Sequence, residues 1–317
     1  MKIVMLEARS LGEDVDLSAY ETLGDFTAYE DTKPEDTPGR IKDADIVVVN
    51  KIPMNEKTLG SADHLKLLCV TATGTNIVDM EYCRKRGITV TNVAGYSTYS
   101  VAQHTFALLF YVLEKLNYYD SYVKSGAYCD SLLFTHLDER FFEIRGKVWG
   151  IIGLGNIGRE VAKIAEAFGC RVIYYSTTGK NSSSAYERVD LDTLLRTSDI
   201  VSIHAPLNAA TDHLMTLEKF EKMKRSAILI NVGRGPIVDE ADLVKALTEG
   251  MIAGAGLDVL SVEPMRKDNP LRKLQDSRKL VITPHIAWAS VEARQRLADE
   301  TAENIRAWMR GEKRNVV

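Results

Sequence analysis

Short apolar runs rich in β-branched residues alternate with helix-length segments along almost the whole chain. The runs are continuously apolar, which is typical of strands that are buried on both faces of a parallel sheet. They lie at residues 3–6, 46–49, 67–70, 88–90, 148–152, 172–175, 200–203, 227–232, 252–257 and 280–283. Because parallel strands are joined by right-handed crossovers through helices, the pattern predicts an α/β fold with Rossmann-like parallel sheets.

The helical segments and the chain length support this fold. An apolar face recurs at helical spacing over residues 161–168, and Gly169 then stands where a helix often ends. Further helices are predicted over about 97–119, over 291–309 and over 79–87. The 317 residues exceed the roughly 250–300 at which single cores stop growing, so two domains are expected.

The composition excludes several classes of function. The formal net charge is −4 with acidic and basic residues mixed, so no nucleic-acid partner is expected. No apolar run reaches the roughly 18 residues of a membrane span, and residues 1–6 resemble a first strand more than a signal peptide. The cysteines are Cys69, Cys83, Cys129 and Cys170. Because they are scattered without metal-ligand spacing, we expect no metal site and reduced thiols in a cytoplasmic protein.

A glycine-rich turn lies between a predicted strand and a predicted helix. Its sequence is Gly153-Leu154-Gly155-Asn156-Ile157-Gly158, with the G-x-G-x-x-G spacing of dinucleotide-binding proteins. The first glycine permits a tight turn, the second lets the backbone approach a pyrophosphate, and the third lets the helix pack on the strand. N–H groups at the helix N-terminus then face the phosphates. The expected cofactor is NAD or NADP, and the alternative is a turn that only packs.

The residues after the next strand bear on the choice between NAD and NADP. Ser176, Thr177 and Lys180 follow that strand, where an acidic residue normally binds the adenosine ribose. Without a carboxylate nothing repels a 2′-phosphate, and the hydroxyls and the lysine could bind one. We therefore expect NADP to be accepted, alone or alongside NAD. The alternative is that Lys180 is only a solvated loop residue.

Arg234, Glu263 and His285 follow three of the predicted strands in the second part of the chain. Ligands of open α/β sheets bind outside the carboxyl ends of the strands, so these side chains are expected to converge. Reduction of a 2-oxoacid needs a hydride and a proton, and a histidine held by a carboxylate is a suitable acid. An arginine can grip the oxoacid and stabilise the developing alkoxide. Taken singly, the three could be a surface arginine, a solvated acid and a helix-cap histidine.

The order and spacing of these segments resemble those of the D-isomer-specific 2-hydroxyacid dehydrogenases over essentially the whole chain. The matching segments are the glycine turn, Asn231-Val232-Gly233-Arg234-Gly235, Asp258-Val259-Leu260-Ser261-Val262-Glu263-Pro264 and Thr283-Pro284-His285. The resemblance implies that Arg234 binds the substrate and that His285 is the acid/base with Glu263 as its partner. It also implies that Asp258 helps to position the nicotinamide.

The resemblance implies further binding residues and an arrangement of domains. The expected residues beside the cofactor are His204, Ala205, Pro206 and Val232. Thr73 and Gly74 resemble a loop whose N–H groups hold the substrate carboxylate, although a simple strand-to-helix turn is the alternative. Residues 1–96 and 287–317 would form the substrate domain, with a dinucleotide-binding domain of residues 97–286 inserted within it. Family members are usually dimers. Gln103 departs from the family pattern, in which many members have glutamate.

The segment after His285 bears on the substrate. His285-Ile286-Ala287-Trp288 resembles the glycerate dehydrogenase/hydroxypyruvate reductase branch, and Trp288 could wall a pocket for a short polar 2-oxoacid. It could also pack without meeting the substrate. We therefore expect an NAD(P)-dependent D-2-hydroxyacid dehydrogenase that favours hydroxypyruvate or glyoxylate. The alternatives are a D-lactate or branched or aromatic 2-oxoacid reductase and, from another class, a nucleotide-sensing scaffold without turnover.

Overall fold

Two compact units make up the chain in the computed structural model, which describes residues 1–180 and 182–317. One unit consists of Met1–Ser97 and Ala289–Val317, and the other of Thr98–Trp288. The second unit is therefore inserted into the sequence of the first. Each unit contains one parallel sheet with helices, which confirms the predicted α/β class with Rossmann-like sheets.

The secondary structure alternates as the apolar pattern predicts. The strands are β1 (Lys2–Met5), β2 (Asp25–Ala28), β3 (Ile46–Val49), β4 (Leu67–Val70), β5 (Thr89–Thr91), β6 (Val148–Ile152), β7 (Arg171–Tyr175), β8 (Glu187–Arg188), β9 (Ile200–Ile203), β10 (Ile228–Asn231), β11 (Gly254–Leu257) and β12 (Leu280–Ile282). The helices are α1 (Ser18–Glu21), α2 (Thr37–Ile41), α3 (Glu56–Leu59), α4 (Met80–Arg86), α5 (Thr98–Leu113), α6 (Leu116–Lys124), α7 (Asn156–Ala167), α8 (Leu191–Thr197), α9 (Leu217–Glu221), α10 (Glu240–Thr248) and α11 (Val291–Met309). Within the described residues, no helix has both the length and the apolar character that crossing a bilayer requires.

The sheet of the first unit has the strand order β2-β1-β3-β4-β5, and all its pairings are parallel. β3 and β4 are buried along their whole length, as their continuous apolar sequences predict. The sequence does not predict β2, because this edge strand is partly exposed and mixes polar with apolar residues. The last helix, α11, has the predicted extent and packs on this unit, where the Tyr20 hydroxyl donates to the Ala298 carbonyl at 2.9 Å.

The sheet of the second unit has the strand order β12-β11-β10-β9-β6-β7-β8, again with parallel pairings throughout. Apolar clusters cover both of its faces, which explains why its central strands are apolar without alternation. The edge strand β8 was not predicted, because it consists of two exposed charged residues. The strand order reverses between β6 and β9, and α/β proteins bind ligands at the carboxyl side of such a switch point.

The long helix predicted over residues 97–119 is wrong, because the structure divides it into α5 and α6. α5 ends at Leu113, and Lys115 takes a left-handed backbone conformation with φ of 56° before α6 begins. The Lys115 Nζ donates to the carbonyl of Arg278 at 2.8 Å, which holds the break in place. Neither glycine nor proline stands at this break, so the sequence carries no local signal for it.

Candidate active site

The glycine turn joins β6 to α7 at the switch point of the second sheet. Gly153 has a φ of 95°, and a β-carbon there would lie 2.9 Å from the backbone nitrogen of Ala205. A β-carbon on Gly158 would lie 2.3 Å from the Gly153 carbonyl oxygen, so only glycine lets α7 begin this close to β6. A β-carbon on Gly155, the residue before the first turn of α7, would meet open space. The turn thus offers the free backbone approach that a pyrophosphate requires.

The loop after β7 also fits a dinucleotide. Ser176 is buried, and its Oγ has no hydrogen-bond partner within residues 1–180 and 182–317. A buried hydroxyl without a partner is destabilising, so this oxygen suits a ligand atom such as a ribose hydroxyl or a phosphate oxygen. Thr177 is half-buried and Lys180 is exposed on the same loop. The end of β7 has no carboxylate at the position where dinucleotide-binding proteins usually have an acidic residue for the ribose.

Two arginines that the sequence analysis misses hold this loop. Arg188 of β8 donates from Nη1 to the Gly179 carbonyl at 3.2 Å. Arg159 of α7 donates from Nη2 to the Ser182 carbonyl at 2.7 Å. With Lys180, they place three cationic side chains on or beside one short loop. Charged residues are common in first helical turns and on edge strands, so neither arginine stands out in the sequence.

His204 lies at the end of β9, directly beside the glycine turn. The Ser202 Oγ accepts from the Trp149 indole N–H at 2.8 Å and lies 3.0 Å from the His204 Nε2. A hydroxyl oxygen can accept two hydrogen bonds, so which of Ser202 and His204 donates depends on the tautomer of the ring. Burial lowers the pKa of His204 to about 3, so the ring is neutral at physiological pH. Its Nδ1 is buried without a partner in the described part of the chain, which fits the predicted cofactor loop.

Asp258, at the end of β11, is the centre of a hydrogen-bond network. Its carboxylate accepts from the Thr283 hydroxyl at 2.6 Å and from the N–H groups of Ile286 and Ala287 at 2.9 and 2.8 Å. Burial acts to raise the pKa of this carboxyl, but the hydrogen bonds outweigh burial and keep the pKa below its ordinary value. Its own carbonyl accepts from the His285 N–H at 2.8 Å. Asp258 therefore holds the segment that carries His285.

His285 and Glu263 are in direct contact. The His285 Nδ1 lies 2.7 Å from Glu263 Oε2, and the other carboxylate oxygen accepts from the Leu260 N–H at 2.9 Å. His285 has a left-handed backbone conformation with φ of 56°, at the turn that follows β12. Both side chains remain about one-third exposed. The contact occupies Nδ1 and leaves Nε2 as the ring nitrogen that can exchange a proton with a ligand.

Arg234 follows β10, the strand next to β11. The Asn231 side chain donates to the Arg234 carbonyl at 3.0 Å, and the guanidinium donates to the Gly233 carbonyl at 2.8 Å. A β-carbon on Gly235 would lie 1.8 Å from the carbonyl carbon of Leu260. The arginine turn therefore lies against the backbone that follows β11. The observed hydrogen bonds of Arg234 stay within its own turn.

In the first unit, the loop after β4 carries the predicted carboxylate-binding residues. The Thr71 N–H donates to the Val49 carbonyl at 2.9 Å, at the neighbouring end of β3. The Thr73 hydroxyl donates to the Val93 carbonyl at 3.0 Å, and the Asn92 side chain donates to the Thr73 carbonyl at 2.7 Å. Thr73 is thus held through both its side chain and its backbone, next to Gly74.

Comparison with known proteins identifies the family. Residues 106–287 match the family described as D-isomer specific 2-hydroxyacid dehydrogenase, NAD binding domain. The chain is 39% identical over 317 residues to a glycerate dehydrogenase of Methylorubrum extorquens, covering 100% of this chain and 98% of that protein. This chain is a member of the D-isomer-specific 2-hydroxyacid dehydrogenase family. It is therefore an oxidoreductase that acts on a CH–OH group with a nicotinamide cofactor.

A second relative agrees with this assignment, and a solved structure is similar over the whole chain. The dehydrogenase is 38% identical to a hydroxypyruvate reductase of Blautia hydrogenotrophica, covering 100% of this chain and 99% of that protein. Its structure is similar to that of an acyclic imino acid reductase in complex with NADPH and D-arginine, with a TM-score of 0.87 and 33% identity over 100% of both chains. The predicted family is thus confirmed, and so is the predicted class of reaction.

Glu240 is a buried acid of the dehydrogenase that the sequence analysis does not single out. Its carboxylate accepts from the Ser261 N–H and hydroxyl, each at 2.7 Å, and from the Asn269 side chain at 2.8 Å. It therefore anchors the segment that carries Glu263. Acidic residues are common in the first turn of a helix, and Glu240 begins α10, so its sequence position gives no hint of this role.

Trp288 packs against the apolar cluster that includes residues of α5, β6 and α7. The indole thus contributes to the core of the second unit, and its contact with substrate stays a prediction. Among the residues that the structure describes, no group of three or more His, Cys, Asp or Glu side chains is arranged to hold a metal ion.

Proposed function

We propose that the dehydrogenase interconverts a short, polar 2-oxoacid and its D-2-hydroxyacid, with hydroxypyruvate or glyoxylate as the preferred oxoacid. The 2.7 Å contact between His285 and Glu263 carries this proposal, because it forms a proton-exchanging pair at the strand ends of the cofactor-binding unit. The relatives named glycerate dehydrogenase and hydroxypyruvate reductase support the substrate assignment.

Each side chain has one role in the proposed reaction. The bound nicotinamide supplies the hydride for the carbonyl carbon in the reduction. His285 donates a proton from Nε2 to the carbonyl oxygen, while Glu263 holds Nδ1 and stabilises the imidazolium. Arg234 binds the oxoacid and stabilises negative charge on the carbonyl oxygen as it develops. The backbone N–H groups around Thr73 and Gly74 hold the substrate carboxylate.

A panel of 2-oxoacids tests this assignment directly. The panel contains hydroxypyruvate, glyoxylate, pyruvate, 2-oxoisocaproate and phenylpyruvate, each followed by the loss of NAD(P)H absorbance. We expect hydroxypyruvate or glyoxylate to give the highest kcat/KM, at least about tenfold above the branched and aromatic acids, as pocket discrimination by a few methylenes would allow. Highest kcat/KM for phenylpyruvate or 2-oxoisocaproate would contradict the proposed substrate. Tight cofactor binding without turnover of any 2-oxoacid would instead support the scaffold alternative.

We further propose that NADP is the preferred cofactor. In place of a carboxylate, the end of β7 offers the Ser176 hydroxyl, which has no hydrogen-bond partner among the residues that the structure describes. Arg159, Arg188 and Lys180 surround the same loop, so a 2′-phosphate there would meet positive charge and hydrogen-bond donors. Guanidinium–phosphate hydrogen bonds are among the stronger ones in proteins. The imino acid reductase of similar structure was solved with NADPH.

Arg188→Ala should lower the kcat/KM for NADPH roughly tenfold or more, because a charge-assisted hydrogen bond is lost. The value for NADH should change little, since NADH has no 2′-phosphate. Lys180→Ala should act in the same direction but less strongly. Arg171→Ala is the matched control, because Arg171 lies on neighbouring β7 and is paired with Glu187 at 2.6 Å. Equal losses with NADPH and NADH in Arg188→Ala would show that the arginine only supports the loop.

We also propose that the enzyme is a cytoplasmic homodimer that associates through an exposed apolar segment after α6. Its large apolar side chains are highly exposed in the single chain. They are Leu132, Leu133, Phe134, Leu137 and Phe141. Contiguous exposed apolar surface of this kind usually marks an interface, and a second copy of the chain is the occupant that family membership suggests. All four cysteines are free thiols, as a reducing compartment would require.

Sedimentation velocity tests the dimer. The wild-type protein should sediment as a dimer, and Phe134→Asp should shift the species toward the monomer, because burying the new charge would be unfavourable. Met309→Asp changes a partly exposed apolar residue of α11 and serves as the control. A wild-type protein that remains monomeric at tens of micromolar would refute the proposal.

A further inference from the structure

The sheet of the first unit has its own switch point, between β1 and β3. With the order β2-β1-β3-β4-β5, the chain runs outward to β2 on one side of β1 and to β3, β4 and β5 on the other. Proteins with this strand order bind ligands, often anionic ones, in the crevice at the carboxyl ends of the first and third strands. The group that occupies this crevice in the present chain therefore affects how the loops at this edge of the sheet, including the proposed substrate loop, are held.

A carboxylate of the chain itself occupies this crevice. Glu7 follows β1, and its Oε2 accepts from three consecutive N–H groups after β3: Asn50 at 2.9 Å, Lys51 at 2.8 Å and Ile52 at 3.3 Å. Successive N–H groups that point at one centre form an anion-binding nest. Glu7 is thus an internal anion bound in a nest that would otherwise face a ligand.

The nest borders the loop to which we assign the substrate carboxylate. The end of β4 is bonded to the end of β3, because the Thr71 N–H and hydroxyl both reach the Val49 carbonyl, at 2.9 and 3.2 Å. The Asn50 side chain also donates to the Ser10 hydroxyl at 3.0 Å. The Asn50–Ile52 loop is thereby tied to the segment after β1 on one side and lies next to the loop after β4 on the other.

We propose that Glu7 is a positioning residue for the 2-oxoacid. It holds the Asn50–Ile52 loop as a second wall beside the carboxylate-binding loop, and it keeps small external anions out of the β1–β3 crevice. This inference rests on the proposed function of the loop at Thr73 and Gly74. Without Glu7 the nest is vacant, so the wall loses its fixed position and the nest can bind a small external anion.

Glu7→Ala should raise the KM for the 2-oxoacid roughly tenfold, because three N–H groups lose a charged acceptor. The kcat and the KM for the cofactor should stay within about twofold, since chemistry and cofactor binding reside in the other unit. Asp45→Ala is the matched control. The Asp45 carboxylate links β1 and β3 at the amino ends of the two strands, where it accepts from the Lys2 N–H at 2.8 Å. Asp45→Ala should lower the stability of the fold without a selective rise in the KM for the 2-oxoacid.

Formate provides a readout that does not depend on turnover. A vacant nest should bind a small carboxylate, so formate should raise the Tm of Glu7→Ala in a saturable way, but not that of wild type or Asp45→Ala. Formate should also return the oxoacid KM of Glu7→Ala toward the wild-type value. Glu7→Gln, which keeps one oxygen acceptor, should fold well and show a smaller rise in KM.

Two results would overturn the proposal. One is an equal change in KM in Glu7→Ala and Asp45→Ala, which would reduce Glu7 to a structural role. The other is a formate titration in which the Tm of Glu7→Ala changes no more than the Tm of wild type. If the alanine variant does not fold, the same comparison is made with Glu7→Gln. A wild-type enzyme without oxoacid turnover would refute the proposed function instead, and the formate titration would still report on the nest.

Discussion

His285→Ala is expected to lower kcat by a factor of roughly 10² to 10⁴, the range that a positioned general acid contributes. The reason lies in the pair with Glu263, whose carboxylate fixes the ring through a 2.7 Å contact at Nδ1 and leaves Nε2 for the substrate oxygen. Alanine removes the only proton donor that we assign to the carbonyl. Single-turnover kinetics with NAD(P)H measures the loss directly, since it isolates the hydride-transfer step.

Cofactor affinity separates a chemical role of His285 from a folding defect. The Kd for NAD(P)H, from nucleotide fluorescence, should remain within about threefold in His285→Ala, because the glycine turn and the β7 loop lie at other strand ends. Glu263→Gln should be intermediate, since the ring keeps a hydrogen-bond partner but loses the neighbouring charge. Should His285→Ala keep more than about a tenth of the wild-type single-turnover rate, His285 is not the general acid.

The sequence predicts the fold well where burial is complete and poorly where it is not. β3, β4 and β9 are buried at every position, so their apolar runs show them directly. The edge strands β2 and β8 pair on one side only and tolerate exposed polar residues, so nothing in their composition marks them. At the break, the Lys115 side chain donates to the carbonyl of Arg278, a residue distant in sequence, and local periodicity cannot predict such a contact.

Some residues of the candidate site could be predicted from the sequence and others could not. Glu263 and His285 both follow strands of one parallel sheet, and ligands of such sheets bind at the strand ends, so the sequence could predict them as a pair. Glu240 and Glu7 could not be predicted from the sequence, because the N–H groups that they bind lie about 20 and 45 residues away, and the side-chain partners of Glu240 are similarly distant. Such long-range supports have no fixed spacing in the sequence. They become visible only when the folded backbone shows which N–H groups converge on one carboxylate.

Arg234→Ala is expected to lower kcat/KM for the 2-oxoacid by roughly 10³-fold or more, because we propose that the guanidinium takes part in both binding and chemistry. Removing a single donor to a developing oxyanion typically lowers kcat by about 10² to 10³. Loss of the charged contact with the oxoacid should add a rise in KM. Arg234→Lys should recover only part of the activity, since an ammonium keeps the charge but lacks the planar fork.

The structure suggests a control for this loss. Truncating Arg234 removes the hydrogen bond of its guanidinium to the Gly233 carbonyl, but the Asn231 side chain and the close packing of Gly235 on Leu260 should still hold the turn. Arg225 is exposed and precedes β10, at the end of the strand opposite to Arg234, so Arg225→Ala removes a cation away from the proposed site. Its kcat/KM should match wild type. If Arg234→Ala raises KM but leaves kcat unchanged, the arginine binds the oxoacid uniformly and takes no part in stabilising the transition state.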